Sequence, residues 1–361
     1  MATSPTTPAP ESSPNPPPVE STPEEHDVQH NQDPIEADDP AAFSDYSDSS
    51  SLASSTQSIT SSIMEHVYTN GRRYHRKSSD ENQQYLMPSD ETEMDRLDMM
   101  HHMGLLTLDG ELYSAPITES PHNVLDCGTG TGIWALEFGN MHTESNVIGV
   151  DLAPNQPAWT YPNVSFETDD LEKEWTYKKN HFNYIHSRTL GTAIKDWAKY
   201  TKQMFEHAAP GAFVEIAEHS VAAYCDDNTV PADSIYITYC TILSDALLKV
   251  GVDVRPYSAR FFRQQLEAAG FVDIKVMSYK IPWGPWPKSK KFKYMGAVCA
   301  EIFRTGLEAY GLMAMTRLQN IPEEEAKSIC TEFYKTMLAG KQHGYHLQWY
   351  IVARKPETTE A

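Results

Sequence analysis

The chain has 361 residues, 40% of them apolar, and a formal net charge of −21. Binding to DNA or RNA usually needs a basic surface, so this acidic composition argues against a nucleic-acid partner. The apolar runs fall far short of the ~20 residues of a membrane-spanning helix, and residues 1–10 lack the basic and apolar parts of a secretory signal. The five cysteines are scattered without a C-x-x-C pair, which disfavours zinc and disulfides. We therefore expect reduced thiols, no metal site, no membrane association and a cytoplasmic or nuclear location.

Residues 1–60 contain eleven acidic residues, ten prolines and no lysine or arginine. Such a composition buries too little apolar surface to fold, so we expect this acidic, Pro/Ser-rich tail to be disordered. The favoured interpretation is a solvating tail. The alternative is a regulatory role for the serine-rich stretch Ser44–Ser62, which is open to phosphorylation.

A helical preface is expected over residues 61–120, because Asp90–Met103 has helical spacing at Met94, Leu97 and Met100 or His101. Residues 121–356 are expected to form the main domain, with helical insertions near 230–260 and 285–340, and residues 357–361 a short tail. Apolar positions at helical spacing in Ser234–Val250 and Phe292–Leu318 define the insertions. They favour either a roof over an apolar substrate pocket or plain core packing.

The most informative stretch is Val124–Trp134, in which three glycines follow a short apolar strand. A dinucleotide fingerprint, G-x-G-x-x-G, would need its third glycine where Ile133 stands. The G-x-G-x-G spacing instead predicts a site for S-adenosylmethionine (SAM), since glycines let the backbone approach the amino-acid part of the ligand. The alternative is an ordinary glycine-rich turn. The predicted contacts are Asp126 to the methionyl ammonium, directly or through water, and the loop residues Gly128, Thr129, Gly130 and Gly132.

Two further strand ends complete the predicted cofactor pocket. Val147–Asp151 is a second apolar strand, and the Asp151 carboxylate can accept both ribose hydroxyls. A third strand, Val164–Phe166, leads into an acidic turn that either faces the adenine or is merely solvated. The residues assigned to this part of the pocket are Asp151, Leu152, Asp169, Asp170 and Leu171.

The fourth apolar stretch, Phe182–Arg188, is expected to end at the methyl-transfer face of the site. His186 and Arg188 are catalytic candidates there, and Ser187 is a predicted cofactor contact. His219, which follows the fifth strand, is the third catalytic candidate. A histidine can remove the proton of a hydroxyl acceptor near neutral pH. The alternative is that these side chains only brace loops.

Five alternating strand and helix units predict an α/β fold with a parallel sheet and helices on both faces. The helix Trp197–Ala208 and the strand Gly211–Ile216 form the last of these units. Phe271–Ile281 and Tyr345–Arg354 are expected to be strands six and seven.

The chain resembles the LaeA-like SAM-dependent methyltransferases of filamentous fungi from about Ser61 to Pro356. Most class I methyltransferases share the glycine loop, so the flanking motifs carry the resemblance. These motifs are Glu65–His75, Glu93–Asp98, Asn155–Pro157, Asp169–Asp170, Glu174–Trp175, Ile185–Arg188, Lys195–Trp197 and Gly284–Lys288. The chain departs from the family pattern at Asn183, where Asp is frequent, and at Ala209–Ala212, where the family has a Lys-Pro-Gly-Gly turn. Neither departure removes a predicted cofactor contact.

The resemblance implies a class I methyltransferase fold. This is a Rossmann-like, seven-stranded, mostly parallel sheet with helices on both faces, an antiparallel seventh strand and helical caps at the N-terminal and C-terminal sides. The resemblance also implies SAM as the cofactor and a preface folded over the cofactor cleft. That arrangement would place Tyr68, Arg73, Tyr74 or Tyr85 near SAM or substrate, with Tyr74 as the assigned contact, since aromatic faces attract cations by ~0.5–2 kcal/mol. The alternative is that these tyrosines pack the preface onto the domain.

The predicted function is methyl transfer from SAM to an unidentified acceptor, with a small apolar secondary metabolite favoured. The alternative is a SAM-binding regulator of secondary metabolism that acts through protein partners. Two basic runs, 72–77 and 288–293, fit solvated faces better than an import signal or an anion site. The acceptor atom, the use of a base and the oligomeric state stay open.

Overall fold

The computed structural model describes residues 28–30, 33–38, 66–69, 72–75 and 88–357. Within these ranges, none of the helices is both long and apolar enough to cross a membrane. The same ranges contain no group of three or more His, Cys, Asp or Glu side chains arranged to hold a metal ion.

The strands of the described chain are β1 (Val28–His30), β2 (His66–Thr69), β3 (Arg72–His75), β4 (Asn123–Cys127), β5 (Asn146–Asp151), β6 (Val164–Thr168), β7 (Phe182–Arg188), β8 (Ala208–His219), β9 (Val272–Pro282) and β10 (Tyr345–Arg354). The helices are α1 (Glu91–Thr107), α2 (Ile133–Met141), α3 (Trp197–His207), α4 (Ile235–Lys249), α5 (Ala259–Ala269), α6 (Lys290–Met313), which continues as a π-helical turn (Ala314–Leu318), and α7 (Glu323–Leu338). The predicted alternation is incomplete, because the chain passes from β5 to β6 and from β6 to β7 through loops without an α-helix.

Eight strands form one sheet in the order β6-β5-β4-β7-β8-β10-β9-β1. β10 runs antiparallel to both of its neighbours, whereas the other pairs in the sheet are parallel. The prediction of a seven-stranded, mostly parallel sheet with an antiparallel last strand is therefore confirmed, and β1 adds an eighth strand at one edge. This order brings the carboxyl ends of β4, β5 and β7 side by side, where open α/β sheets bind ligands.

Helices cover both faces of the sheet because its central strands are apolar on both sides. On one face, Trp134 of α2 belongs to a core cluster with Val124 and Tyr184. On the other face, side chains of α3 and α5 share a core cluster with Leu125 and Ile185. Consecutive residues of β4 and β7 thus point to opposite faces, as the two-residue period of a strand requires.

Part of the tail that we predicted to be disordered takes part in the fold. β1 pairs in parallel with β9, and residues 33–38 lie against 286–288, where the N–H of Asp38 donates to the carbonyl of Trp286 at 2.8 Å. The prediction is wrong for these two segments, because the open sheet edge supplies backbone hydrogen bonds that do not depend on apolar content. The rest of residues 1–60, including Ser44–Ser62, lies outside the described residues.

The preface also differs from the all-helical prediction. β2 and β3 form an antiparallel hairpin in which Thr69 lies opposite Arg72. α1 then begins at Glu91, after Asp90, whose carboxylate accepts the N–H of Glu93 at 3.0 Å and so caps the helix. The domain boundaries themselves stay a prediction.

Asp90 joins this hairpin to α1. Its carboxylate accepts hydrogen bonds from Nε and Nη2 of Arg72 at 2.6 and 2.8 Å. Burial alone would raise the pKa of Asp90, but the hydrogen bonds and charge of Arg72, with two backbone donors, lower it. The next arginine, Arg73, pairs with Glu91. Acidic side chains at the start of α1 thus neutralise both arginines of β3.

We expect Asp90→Ala to lower the free energy of unfolding by about 1–2 kcal/mol, because the N-terminal cap of α1 is lost together with the carboxylate partner of Arg72. Asp95→Ala, an exposed position on the same helix, is the matched control and should change stability by less than about 0.5 kcal/mol. Urea unfolding of both variants measures the difference. Equal stability of the two variants would show that Asp90 does not hold the preface.

Candidate active site

The glycine loop between β4 and α2 follows a left-handed backbone path. Gly128, Gly130 and Gly132 have φ values of +71°, +57° and +82°. A Cβ atom at Gly128 would lie 2.4 Å from Cδ2 of Leu190, and one at Gly132 would lie 2.4 Å from Cζ of Phe166. At Gly130 the nearest atom would be Cδ1 of Leu97 at 3.5 Å. Two of the glycines therefore allow close packing, whereas Gly130 leaves its backbone open.

Asp151, at the end of β5, fastens this loop. Its Oδ2 accepts the N–H of Gly130 at 2.9 Å, and its Oδ1 accepts the N–H of Ala153 at 3.0 Å. Burial raises the pKa of Asp151, although these backbone donors offset part of the shift. The backbone N–H of Gly130 and the carboxylate of Asp151 thus form one hydrogen-bonded unit.

A cleft of about 170 Å³ opens beside this unit. Eight of the predicted site residues line the cleft, namely Gly128, Gly130, Asp151, Leu152, Asp169, Asp170, Leu171 and Arg188. The start of α1 closes one side through Glu93, Met94 and Leu97. The structure therefore brings the ends of β4, β5, β6 and β7 to a single cleft, while the ligand contacts of these residues stay predictions.

The structure corrects the assignment of Asp126. The side chain is buried, with 2% of the residue exposed, and both carboxylate oxygens are used inside the protein. Oδ2 accepts the hydroxyl of Thr129 at 2.6 Å, and Oδ1 lies 2.7 Å from Nδ1 of His186. Asp126 and the Thr129 hydroxyl therefore hold the glycine loop from behind, and neither residue lines the cleft.

His186 and Ser187 are also placed differently from the prediction. The His186 ring stacks on Trp134, with the centroids 3.8 Å apart and the planes 2° from parallel, and only 2% of the residue is exposed. The Ser187 hydroxyl accepts from Tyr200 at 2.9 Å and is fully buried. Neither side chain lines the cleft, because alternate residues of β7 point into the two cores. Contrary to the prediction, the His186 ring and the Ser187 hydroxyl lie in the core and not at the cleft.

The tyrosines assigned to the preface stay untested. Tyr68 and Tyr74 lie in the hairpin of β2 and β3, but their side chains, like Tyr85, lie outside the described residues. Arg73 is directed to α1, because its Nε and Nη2 donate to the carbonyl of Ser89 at 3.1 and 2.6 Å.

An apolar cavity of about 130 Å³ adjoins the cleft. Both spaces are lined by Arg96, Arg188, Thr189, Thr192 and Tyr310. The remaining walls come mainly from α4, α6 and the ends of β8, β9 and β10, through residues such as Tyr239, Leu243, Ile281, Trp283, Ile302, Phe303, Leu307 and Phe333. The two helical insertions thus roof a pocket, one of the two alternatives that their sequence pattern allowed.

Arg188 stands where the cleft meets the cavity, at the end of β7. Its Nη2 lies 3.1 Å from Nδ1 of His101 on α1. Burial and then the charge of Arg188 lower the pKa of His101 to about 4, so this partner is neutral at pH 7. The next residue, Thr189, has a φ of +58°, a conformation that β-branched residues rarely adopt. The chain is therefore bent sharply at this junction.

Arg96 is a buried cation that sequence patterns did not single out as a site residue. Only 1% of the residue is exposed. Its Nε donates to Oε2 of Glu93 at 2.9 Å, its Nη2 donates to Oε1 of the same carboxylate, and its guanidinium lies 4.8 Å from the centroid of the Tyr310 ring. The signal that could have revealed it is the three-residue spacing of Glu93 and Arg96 on the inner face of α1.

Two histidines lie at the inner end of the cavity. Burial, followed by the charge of Arg96, lowers the pKa of His219 to about 4. Nδ1 of His346 accepts the indole N–H of Trp283 at 2.8 Å, and burial lowers the pKa of His346 far below its usual range. The two rings are 5.7 Å apart. Both rings are therefore neutral at pH 7. His346 was not predicted as a site residue, because no sequence motif surrounds it in its strand.

Glu218 fixes the loop that follows β7. Only 1% of the residue is exposed, and its two oxygens accept the N–H groups of Leu190 and Gly191 at 2.6 and 3.1 Å. Burial raises the pKa of Glu218 to about 8, although these backbone donors act to lower it. The carboxyl group therefore positions the Leu190 side chain that packs on Gly128.

We expect the folded protein to lose stability as the pH falls from about 7 to 4. The unfolded chain takes up protons on histidines near pH 6.5, whereas folded His101 and His219 resist protonation down to about pH 4. Each such histidine contributes a slope of up to about 1.4 kcal/mol per pH unit between its two pKa values. Urea unfolding at pH 7, 6 and 5 should show a shallower slope for His219→Gln than for the native chain.

His122→Gln, at an exposed position, is the control and should keep the native slope. If His219→Gln and the native chain had the same slope, His219 would titrate normally in the folded state.

Comparison with known proteins places this site in a family. A family model described as a methyltransferase domain matches residues 99–276. Methyltransferase pytC of Aspergillus terreus is 35% identical over 304 residues, which cover 84% of this chain and 92% of that protein. The secondary metabolism regulator LAE1 of Cochliobolus heterostrophus is 31% identical over 298 residues, which cover 80% of this chain and 94% of that protein.

Among solved structures, a phosphoethanolamine N-methyltransferase 2 of Haemonchus contortus in complex with SAM is 18% identical, with a TM-score of 0.43, and the match covers 73% of this chain and 52% of that one. The sequence relatives are matched over nearly their whole length, and the family model spans the glycine loop and the strands that border the cleft. The chain therefore belongs to the LaeA-like family of SAM-dependent methyltransferases.

Proposed function

We propose that this protein transfers a methyl group from SAM, bound in the cleft, to a small and mainly apolar acceptor bound in the adjoining cavity. The observation that carries the proposal is the wall that the two spaces share, formed by Arg188, Thr189, Thr192, Arg96 and Tyr310. A methyl donor and an acceptor must meet within van der Waals distance and in line. Because the cleft and the cavity adjoin at this shared wall, a donor in one and an acceptor in the other can meet there.

The cleft fits SAM at three points. The open backbone at Gly130 leaves room that a side chain would fill, which suits the amino-acid part of the ligand. Asp151 holds the loop with one lone pair on each oxygen and can accept ribose hydroxyls with the others. The turn Asp169–Leu171 borders the far end of the cleft and would hold the adenine.

SAM supplies a methyl carbon already activated by a positively charged sulfur. The protein then needs mainly to orient the two reactants and exclude water. Apolar walls from α4 and α6 can exclude water from the acceptor, while Glu218 and the strained Thr189 fix the junction. The cavity lining is apolar and aromatic with a few polar groups, a composition typical of small-molecule sites.

We expect Asp151→Asn to weaken binding of S-adenosylhomocysteine (SAH) by about tenfold to 100-fold, because hydrogen bonds to a charged group contribute about 1.5–3 kcal/mol. Isothermal titration of the full chain with SAH measures the effect. Glu144→Gln, an exposed position in the loop before β5, is the control and should bind SAH like the native chain.

Thermal melts without ligand separate a loss of binding from a loss of folding. If Asp151→Asn bound SAH as tightly as the native chain, Asp151 would not hold the ribose. If the native chain bound no SAH at all, the proposed methyl transfer would be wrong.

A second candidate function is regulation of secondary metabolism through protein partners. It is favoured by the name of the LAE1 relative, a secondary metabolism regulator matched over 94% of its length. Both functions use the same cofactor cleft, so the structure of the cleft does not separate them.

Metabolite profiling of cells with and without the gene, grown with isotope-labelled methionine, distinguishes the two functions. We expect the loss of one labelled compound or a small set of labelled compounds, because the cavity is shaped for a small acceptor. Broad loss of compounds from many pathways would instead favour the regulator.

A further inference from the structure

The cavity is asymmetric in charge. Among the described residues that line it, none is an aspartate or glutamate, whereas two are arginines, Arg96 and Arg188. The charge of Arg96 is matched by Glu93, with which it forms a bidentate ion pair beneath the cavity wall. Arg188 lines the cavity without such an ion pair among the described residues.

Arg188 has no carboxylate partner within ion-pair distance in the part of the chain that the structure describes. Its hydrogen-bond partner is the neutral ring of His101, at 3.1 Å, and the other nitrogen of that ring lies 3.0 Å from the partly exposed carboxylate of Glu137 on α2. A half-buried guanidinium with a neutral partner favours an anion, because a carboxylate or similar oxygen accepts two parallel N–H bonds from it. Arg188 lies on the wall common to the cleft and the cavity, so an anion that it binds would lie at the place of methyl transfer.

The cavity also lacks a base suited to removing a proton at neutral pH. His186 is enclosed behind the glycine loop by Trp134 and Asp126. His219 and His346 are the histidines in the cavity lining, and the low basicity of both makes them poor acceptors of a proton from an alcohol. The lack of a base favours an oxygen nucleophile that reaches this cavity already ionised.

We propose that the acceptor is a flat, apolar molecule that carries an ionised oxygen, a carboxylate or an acidic phenolate, and that Arg188 holds this oxygen toward the cofactor cleft. This inference rests on the proposed function and names the chemical class of its acceptor. In the transfer, the acceptor oxygen forms a bond to the methyl carbon, and the carbon–sulfur bond breaks with its electron pair remaining on sulfur. The anion and the sulfonium are both neutralised, so no proton has to move.

The size and the lining of the cavity limit the size and polarity of the rest of the acceptor molecule. A volume of about 130 Å³ is well above the ~10–15 Å³ that a cavity needs to admit one water, so the cavity has room for a small ring system. Trp283, Phe303, Phe333 and Tyr239 supply aromatic walls. A cationic amine is disfavoured as acceptor, because it would lie beside the guanidinium of Arg188.

The test uses the full chain saturated with SAH and three probes of similar shape: 2-naphthoate, 2-naphthamide and 2-naphthylmethylammonium. We expect isothermal titration to show that 2-naphthoate binds at least about tenfold more tightly than 2-naphthamide, as a hydrogen-bonded ion pair should, and that the ammonium binds most weakly. Arg188→Gln should remove the preference for the carboxylate and leave the affinities for 2-naphthamide and SAH within about twofold. Arg188→Lys, which keeps the charge but loses the planar fork, should retain part of the preference.

Lys202→Gln is the matched control, because Lys202 is an exposed cation on α3 that lines neither the cleft nor the cavity. It should leave the preference for 2-naphthoate unchanged. Equal binding of 2-naphthoate and 2-naphthamide, failure of all three probes to bind, or a preference that survives in Arg188→Gln would overturn the inference. So would a loss of SAH affinity in Arg188→Gln, since Arg188 would then serve the cofactor.

These outcomes are distinct from failure of the proposed function. If the native chain bound no SAH, the same three titrations on the SAH-free chain would still show whether Arg188 selects an anion in the cavity.

Discussion

The buried carboxylate of Asp126 is the point on which the arrangement of the site depends. It lies one residue before the end of β4, accepts the Thr129 hydroxyl from the glycine loop and lies 2.7 Å from the His186 ring of β7. That ring in turn stacks on Trp134 at the start of α2. One side chain therefore connects the two central strands, the loop and the helix. A charge with 2% exposure is stable only when hydrogen-bonded, and breaking such a buried pair is strongly destabilising.

A second layer of carboxyl groups builds on this connection. Asp151 holds the backbone of Gly130, and Glu218 holds the backbone of the loop after β7. Each carboxyl lies at or next to the end of a strand and binds N–H groups of the loop that follows the neighbouring strand. These hydrogen bonds fix the backbone that borders the cleft. A fixed cofactor site suits methyl transfer, because its catalysis depends mainly on the alignment of the reactants. The cavity, by contrast, is shaped by helices added to this core.

The acidic N-terminal segment contributes to the opposite edge of the molecule. Lys288 and Lys293, from the second basic run, pair with Glu36 and Asp38 of the tail. This run therefore pairs with the acidic segment of the same chain. Exposed ion pairs of this kind contribute little to stability individually, so the backbone hydrogen bonds of the segment matter more for its position.

The sheet was the most predictable part of the protein. Its strands are short apolar runs bounded by glycines and acids, and local patterns of this kind depend only on neighbouring residues. The helices that roof the cavity were predictable for the same reason, as were the acids and glycines that line the cleft. The missing helices between β5 and β6 and between β6 and β7 were not, because the alternation rule describes the usual connection and short loops can replace it.

The sequence by itself determined the fold class, the family and the strand ends that carry the cleft, because these follow from local periodicity and from motifs of adjacent residues. Only the tertiary structure decided which way each side chain at a strand end faces. His186 and Arg188 are two residues apart in β7, yet the His186 ring is enclosed between Trp134 and Asp126 while Arg188 lines the cleft and the cavity. Only the tertiary structure brought Arg96, Arg188 and His346 to one cavity, since they come from a helix and two strands far apart in the chain. Charge balance across such distances has no local sequence pattern, because it depends on which groups meet in space.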